Sequence, residues 1–122
     1  MVCFGNLFDT LVIDSRKCVI ITDNIVAGLY GEMLVKNLRE MRLNVDLIVF
    51  EAGEENKTLR TFERLSEKLY ELGLDRASLL ISLGGGVVGD LVGYLAGTYM
   101  RGIEYIQIPT TLLAMIDSSI GG

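Results

Sequence analysis

The sequence predicts an α/β domain in which a mostly parallel sheet carries helices on both faces. Short apolar runs rich in Val and Ile alternate along the chain with longer segments whose apolar residues recur at helical spacing. Strands joined through helices cross over in the right-handed sense and become parallel neighbours. Glycine distribution adds a third observation. Nine of the 14 glycines lie at or after Gly84, directly behind one of the apolar runs, where bare backbone is needed.

Residues 17–22 (KCVIIT) read as a buried strand and Asp23-Asn24 as a turn or N-cap. Residues 25–41 then carry Leu29, Met33, Leu38 and Met41 on the apolar side of a helix. Residues 45–50 form a second strand. Residues 58–72 place Leu59, Phe62, Leu65, Leu69 and Leu72 on one stripe, with Arg60, Glu63, Arg64, Glu67 and Glu71 off it, and Gly73 closes this amphipathic helix. Residues 78–83 form a third strand that runs straight into Gly84-Gly85-Gly86. A glycine-rich helix over 87–100 and a fourth strand over 103–108 follow, and Pro109-Thr110-Thr111 opens a short helix ending near Ser118. Residues 7–14 offer an additional strand. No repeat, linker or low-complexity tract interrupts the chain, so residues 1–122 are expected to be one domain.

Composition removes several function classes. Half of the 122 residues are hydrophobic and 22% are charged, so the chain folds rather than staying disordered. A net charge of −5 argues against nucleic acid as a partner. The longest apolar stretch, 79–97, is broken by Asp90 and six glycines, so no membrane span is expected, and neither is a cleavable leader. Cys3 and Cys18 make no disulfide framework, which points to a reducing, cytoplasmic setting. With no histidine and only two scattered cysteines, the chain is expected to hold no zinc or iron site of its own. The Gly121-Gly122 ending and a mean hydropathy of +0.42 suggest a fragment whose missing part covers apolar surface.

Gly84-x-Gly86-x-x-Gly89 between a strand and a helix has the spacing of a dinucleotide turn. Glycines let a pyrophosphate approach the backbone, and the helix N-terminus offers donors and a positive dipole end. Asp90, read as lying in the first helical turn, would repel a phosphate and suits sugar hydroxyls better. The competing reading makes Gly85, Gly89, Gly93 and Gly97 a bare helix ridge for close packing, and both can hold. Gly53-Glu54-Glu55-Asn56-Lys57 is either a solvated turn ahead of a helix or a ribose and phosphate contact. Thr110 reads by default as a helix cap, Asp117 as a helix end and Arg101 as a surface charge.

Together, Gly84-Gly85-Gly86-Val87-Val88-Gly89-Asp90, Thr98-Tyr99-Met100-Arg101-Gly102, Gln107-Ile108-Pro109-Thr110-Thr111-Leu112-Leu113-Ala114 and Asp117-Ser118-Ser119-Ile120-Gly121-Gly122 closely resemble the N-terminal domain of the 3-dehydroquinate synthase family. Gly53-Glu54-x-x-Lys57-Thr58 and Thr22-Asp23 match the same family's earlier motifs. Ile25 and Glu51-Ala52 depart from it locally, where the family carries an Asn and often a Pro.

The resemblance implies a Rossmann-like three-layer, NAD-binding domain over residues 1–122. It implies a lyase of the shikimate pathway of aromatic amino acid biosynthesis, converting 3-deoxy-D-arabino-heptulosonate 7-phosphate to 3-dehydroquinate and phosphate with transient use of NAD. It further implies that Asp23, Gly53, Glu54 and Lys57 contact the nucleoside end of the cofactor. Gly85, Gly86, Val87, Val88, Gly89 and Asp90 would form the pyrophosphate and ribose turn, and Thr110, Thr111 and Leu113 further cofactor contacts. Asp117 would sit at the junction with substrate, and Arg101 would reach the substrate phosphate from the neighbouring subunit of a homodimer. Zinc or cobalt would be held by a C-terminal helical domain absent from this chain, which is therefore expected to be inactive alone. Related readings are a 2-deoxy-scyllo-inosose synthase-type cyclase, a glycerol-type metal-dependent dehydrogenase and, outside enzymes, a stand-alone nucleotide-binding module.

Overall fold

Of the four strands in the described part of the chain, three are short Val/Ile/Leu-rich runs and the last carries two Ile among Glu, Tyr and Gln, and all of them pair in parallel. The computed structural model describes residues 16–110. Strands β1 (Lys17–Asp23), β2 (Asn44–Phe50), β3 (Leu79–Leu83) and β4 (Glu104–Ile108) form one sheet in the order β2-β1-β3-β4. Central strand β1 pairs Ile20 with Leu47 on one side and with Ile81 on the other. Parallel strands covered on both faces need apolar residues at successive positions. Both central strands comply, with 18–22 and all of β3 buried.

Alternate residues of β1 feed two separate cores. Cys18 and Ile20 join Leu34, Val35 and Leu38 from helix α1. Val19 and Ile21 join Leu65 and Leu69 from helix α2 (Leu59–Glu71), and Val88, Val92 and Leu95 from helix α3 (Gly86–Thr98). Helix α1 therefore covers one face and α2 and α3 the other, giving the expected three layers.

Helix α1, residues 24–40, departs from its expected phase. Asn24–Val26 and Glu32–Glu40 are α-helical, but Ala27–Gly31 between them is a π-helical turn. That wider turn re-phases the helix. The buried residues are Val26, Gly31, Leu34, Val35 and Leu38, whereas Leu29, expected on the apolar side, is 66% exposed. Leu59 is likewise exposed, because α2 buries only Leu65 and Leu69 fully.

Two helices end in the same way with different residues. After α2, Gly73 takes φ +75 while Leu74 N donates to Leu69 O and Gly73 N to Tyr70 O. After α1, Arg42 takes the equivalent left-handed position at φ +66, with Leu43 N donating to Leu38 O and Arg42 N to Arg39 O. The glycine ridge of α3 packs within the chain over part of its length. A β-carbon at Gly89 would collide with Gln107 Nε2, and one at Gly93 would lie 3.3 Å from the Tyr105 hydroxyl. Gly85 and Gly97 meet nothing, so the ridge comprises two glycines rather than four. The additional strand over 7–14, the helix after Pro109 and the residues Cys3, Thr111, Leu113 and Asp117 lie outside the described residues, apart from the helical Thr110.

Candidate functional site

Neighbouring strands β1 and β3 send their chains to opposite faces of the sheet, β1 into α1 and β3 into α3. This parting is the topological switch point of the sheet, and it opens a crevice beyond the carboxyl ends of the strands. The glycine motif, behind the third described strand, thus lies at the switch point. Thr22, fully buried, pins the two strand ends together through its hydroxyl, which donates to Leu83 O at 2.7 Å. One residue on, Asp23 caps α1 by accepting from Val26 N at 2.8 Å.

On the β3 side the glycines divide by the reason each is needed. Gly84 takes φ +147, and a β-carbon there would lie 2.8 Å from Val88 Cγ2 in the core. Its N–H donates to Ile108 O at 3.2 Å, tying the turn to β4. Gly85 and Gly86 are exposed, neither has positive φ, and a β-carbon on either would meet nothing within 4 Å. No side chain caps α3 at Gly85. The first donors of α3 therefore face open space, the arrangement that receives an anion. Val88 and Gly89 are buried and serve packing, while Val87 is half-buried.

Asp90 is the fifth residue of α3, opening the second turn rather than lying in the first as the sequence suggested. Its Oδ2 accepts from Lys57 Nζ at 2.7 Å, and Glu54 Oε1 lies 3.8 Å from the same ammonium. The hydrogen bond and charge of Asp90, then the charge of Glu54, push the Lys57 ammonium above its ordinary range. Lys57 reaches this place on a braced loop. Gly53 turns the chain at φ +125, Asn24 Oδ1 accepts from Ala52 N at 2.7 Å, and Asn56 Nδ2 donates to Ala52 O at 3.0 Å. Thr58 then caps α2 through Thr61 N. Asn24, expected only as part of a turn or N-cap, ties the start of α1 to the loop after β2. Lys57, Thr58, Leu59, Phe62, Asp90, Leu91 and Tyr94 line a cleft of about 320 Å³, with the Phe62 and Tyr94 rings edge to face at 4.8 Å. A larger cavity of about 580 Å³ beside α1 and Leu47 contains none of the sequence-predicted residues.

Glu54, Lys57 and Asp90 thus meet, and Asp23 and Gly85-Gly86 stand at the ends of adjacent strands. Arg101 does not join them. It is exposed at the far end of the 13-residue α3, about 20 Å from Gly86 at helical rise. There it follows Met100 (φ +50) with φ +67 of its own, and Gly102 N closes the turn on Tyr99 O at 2.7 Å. Thr110, the last described residue, is half-buried and helical. Among the described residues no three His, Cys, Asp or Glu side chains cluster to hold a metal ion, and no helix is long and apolar enough to cross a membrane.

A parallel sheet with helices on both faces, and a glycine turn opening onto its switch point, defines the Rossmann-like class of α/β domains. Comparison with known proteins makes the assignment specific. Residues 47–122 match the model of the 3-dehydroquinate synthase N-terminal domain, and the chain belongs to that family. It is 55% identical over 108 residues to 3-dehydroquinate synthase of Thermoanaerobacter pseudethanolicus and 48% identical over 107 residues to that of Prochlorococcus marinus strain AS9601. Each match covers 88% of this chain and 30% of the relative, so the chain spans under a third of the curated relatives' length. Among solved structures it resembles 2-epi-5-epi-valiolone synthase from Streptomyces hygroscopicus with NAD⁺ and Zn²⁺ bound (TM-score 0.77, 35% identity, 92% of this chain and 31% of that one). It also resembles 2-deoxy-scyllo-inosose synthase complexed with carbaglucose-6-phosphate, NAD⁺ and Co²⁺ (TM-score 0.74, 30% identity, 81% of this chain and 27% of that one).

Proposed function

We propose that this chain is the NAD-binding part of a 3-dehydroquinate synthase, a cytoplasmic lyase that converts 3-deoxy-D-arabino-heptulosonate 7-phosphate to 3-dehydroquinate and phosphate. The observation that carries the reading is the pair Gly85-Gly86. These glycines are spared by every internal need, lying at an uncapped helix N-terminus on the switch point, and their missing side chains leave room for a pyrophosphate. Identities of 46–55% to the synthases, against 30–35% to the related cyclases, favour this reaction over its cousins.

NAD, when bound, supplies a reversible hydride acceptor. Gly85, Gly86 and Val87 would offer backbone donors to the pyrophosphate. Glu54 would accept from ribose hydroxyls, and Asp23 and Gly53 would flank the nucleoside end. Lys57 and Asp90 would border the same cleft, with Thr110, Thr111 and Leu113 completing the cofactor contacts. Asp117 would meet the substrate. Arg101, which does not join these residues, would serve the substrate phosphate of a second copy, and the working protein would then be a homodimer. The residues described here offer no ligand set for zinc or cobalt, so no step through a metal is assigned to them.

Titrating NAD into isotope-labelled protein tests the assignment. Amide shifts should move at Asp23, residues 53–57 and residues 85–90. Movement confined to residues away from these strand ends, or no response to NAD, overturns it.

A further inference from the structure

We propose that Lys57 and Asp90 act on the cofactor as one unit, in which Lys57 cancels a charge that Asp90 would otherwise turn on the pyrophosphate. This rests on the NAD-binding reading above and goes beyond treating the two residues as separate contacts. Positions four apart share a helix face, and helical side chains lean toward the N-terminus. Asp90 therefore projects from the Gly86 face back toward the donors that open α3. An uncompensated carboxylate there opposes the attraction that the helix dipole exerts on an anion.

The geometry supplies compensation from 33 residues away. Lys57 Nζ sits 2.7 Å from Asp90 Oδ2, closer than to Glu54, and no element but the loop after β2 brings it there. That loop is fixed independently, by Asn24 on the Ala52 amide and by Asn56 on the Ala52 carbonyl. Asp90 in return holds the end of a flexible, exposed side chain at one place over the cleft that Thr58, Phe62 and Tyr94 share. The Lys57–Asp90 pair is thus neutral in itself, one helical turn from Gly86, and the ammonium, with Glu54 3.8 Å away, keeps donors beyond the one given to Asp90.

A double-mutant comparison separates this coupling from two independent contacts. NAD and ADP are titrated by calorimetry into the wild-type chain, Lys57→Met, Asp90→Asn and the double variant, at low and at high salt, with circular dichroism confirming the fold. Both residues are exposed, so the fold should survive every substitution. Lys57→Met is expected to weaken NAD about fivefold at low salt, and less at high salt as the bare carboxylate is screened. Asp90→Asn should cost less than this, and the double variant should bind more tightly than Lys57→Met alone. Lys57→Arg should stay near wild type. A double variant that binds as weakly as, or more weakly than, Lys57→Met overturns the coupling while leaving the NAD reading intact. A wild-type chain that binds neither probe overturns both.

Discussion

Adjacent glycines in the Gly84-Gly85-Gly86 turn should fail in opposite ways when given a side chain. At Gly84 the backbone sits at φ +147, a region closed to alanine, and holding a non-glycine residue there costs about 1–3 kcal/mol. The new β-carbon would also stand 2.8 Å from Val88 Cγ2. Val88 is 1% exposed and packs with Val92 and Leu95, so it has nowhere to retreat, and overpacking adds about 1–3 kcal/mol. Some of the two costs is shared, because one shift relieves both. Gly84→Ala should therefore destabilise the chain by about 3 kcal/mol.

Gly86 is helical, and its β-carbon would enter open space. Gly86→Ala should leave stability unchanged or raise it by up to about 1 kcal/mol through helix propensity. The same methyl group, and more so the branched side chain of Gly86→Val, occupies the room reserved for the pyrophosphate and should weaken NAD. Urea unfolding followed by far-ultraviolet circular dichroism, paired with calorimetric titration of NAD, reads both properties on the same samples. Wild-type stability in Gly84→Ala refutes the packing argument. Undiminished NAD binding in a folded Gly86→Val refutes the cradle.

Arg42 occupies a left-handed helix-end position that Gly73 fills after α2, so Arg42→Gly should stabilise the chain by about 1 kcal/mol in the same urea assay; a loss of stability would show that the arginine side chain outweighs the strain. Burial, then the charges of Tyr70 and Asp75, push the Tyr99 phenol above its ordinary value of 10.0. The unfolded chain thus loses that proton first, and the associated stability is whole below pH 10 and falls as pH rises through the raised value. Lys57, also raised, adds to the same alkaline decline, so Tyr99→Phe should flatten only part of it, and should cost about 1 kcal/mol at neutral pH through the lost bond to Leu74 O; an unchanged alkaline slope in the variant would refute the assignment. Given 3-deoxy-D-arabino-heptulosonate 7-phosphate, NAD and zinc or cobalt, this chain should release no phosphate above the buffer blank, since it contains no histidine and its described residues gather no metal ligands; release above the blank would show that the chain carries the whole reaction.

What could be read in advance divides along the distance over which each feature is decided. Alternating Val/Ile runs and helix-periodic segments located all four described strands to within a residue or two, since those cues are local to each element. The phase of α1 was not readable, because a π turn at Ala27–Gly31 leaves no mark in apolar spacing and carries Leu29 outward. The glycines were visible as a motif, but not their separate duties. Gly84 answers to Val88, Gly89 and Gly93 to side chains of β4, and Gly85 and Gly86 to nothing in the chain. Strand order mattered most. With β1 between β2 and β3, the loop after β2 and the first turns of α3 lie at the same end of the sheet, and Lys57 can reach Asp90. No spacing rule links residues 33 apart, yet this pairing turns a carboxylate that looked hostile to a phosphate into a compatible neighbour. The objection that Asp90 raised against a phosphate site was sound for the helix alone and is answered by a charge from another loop.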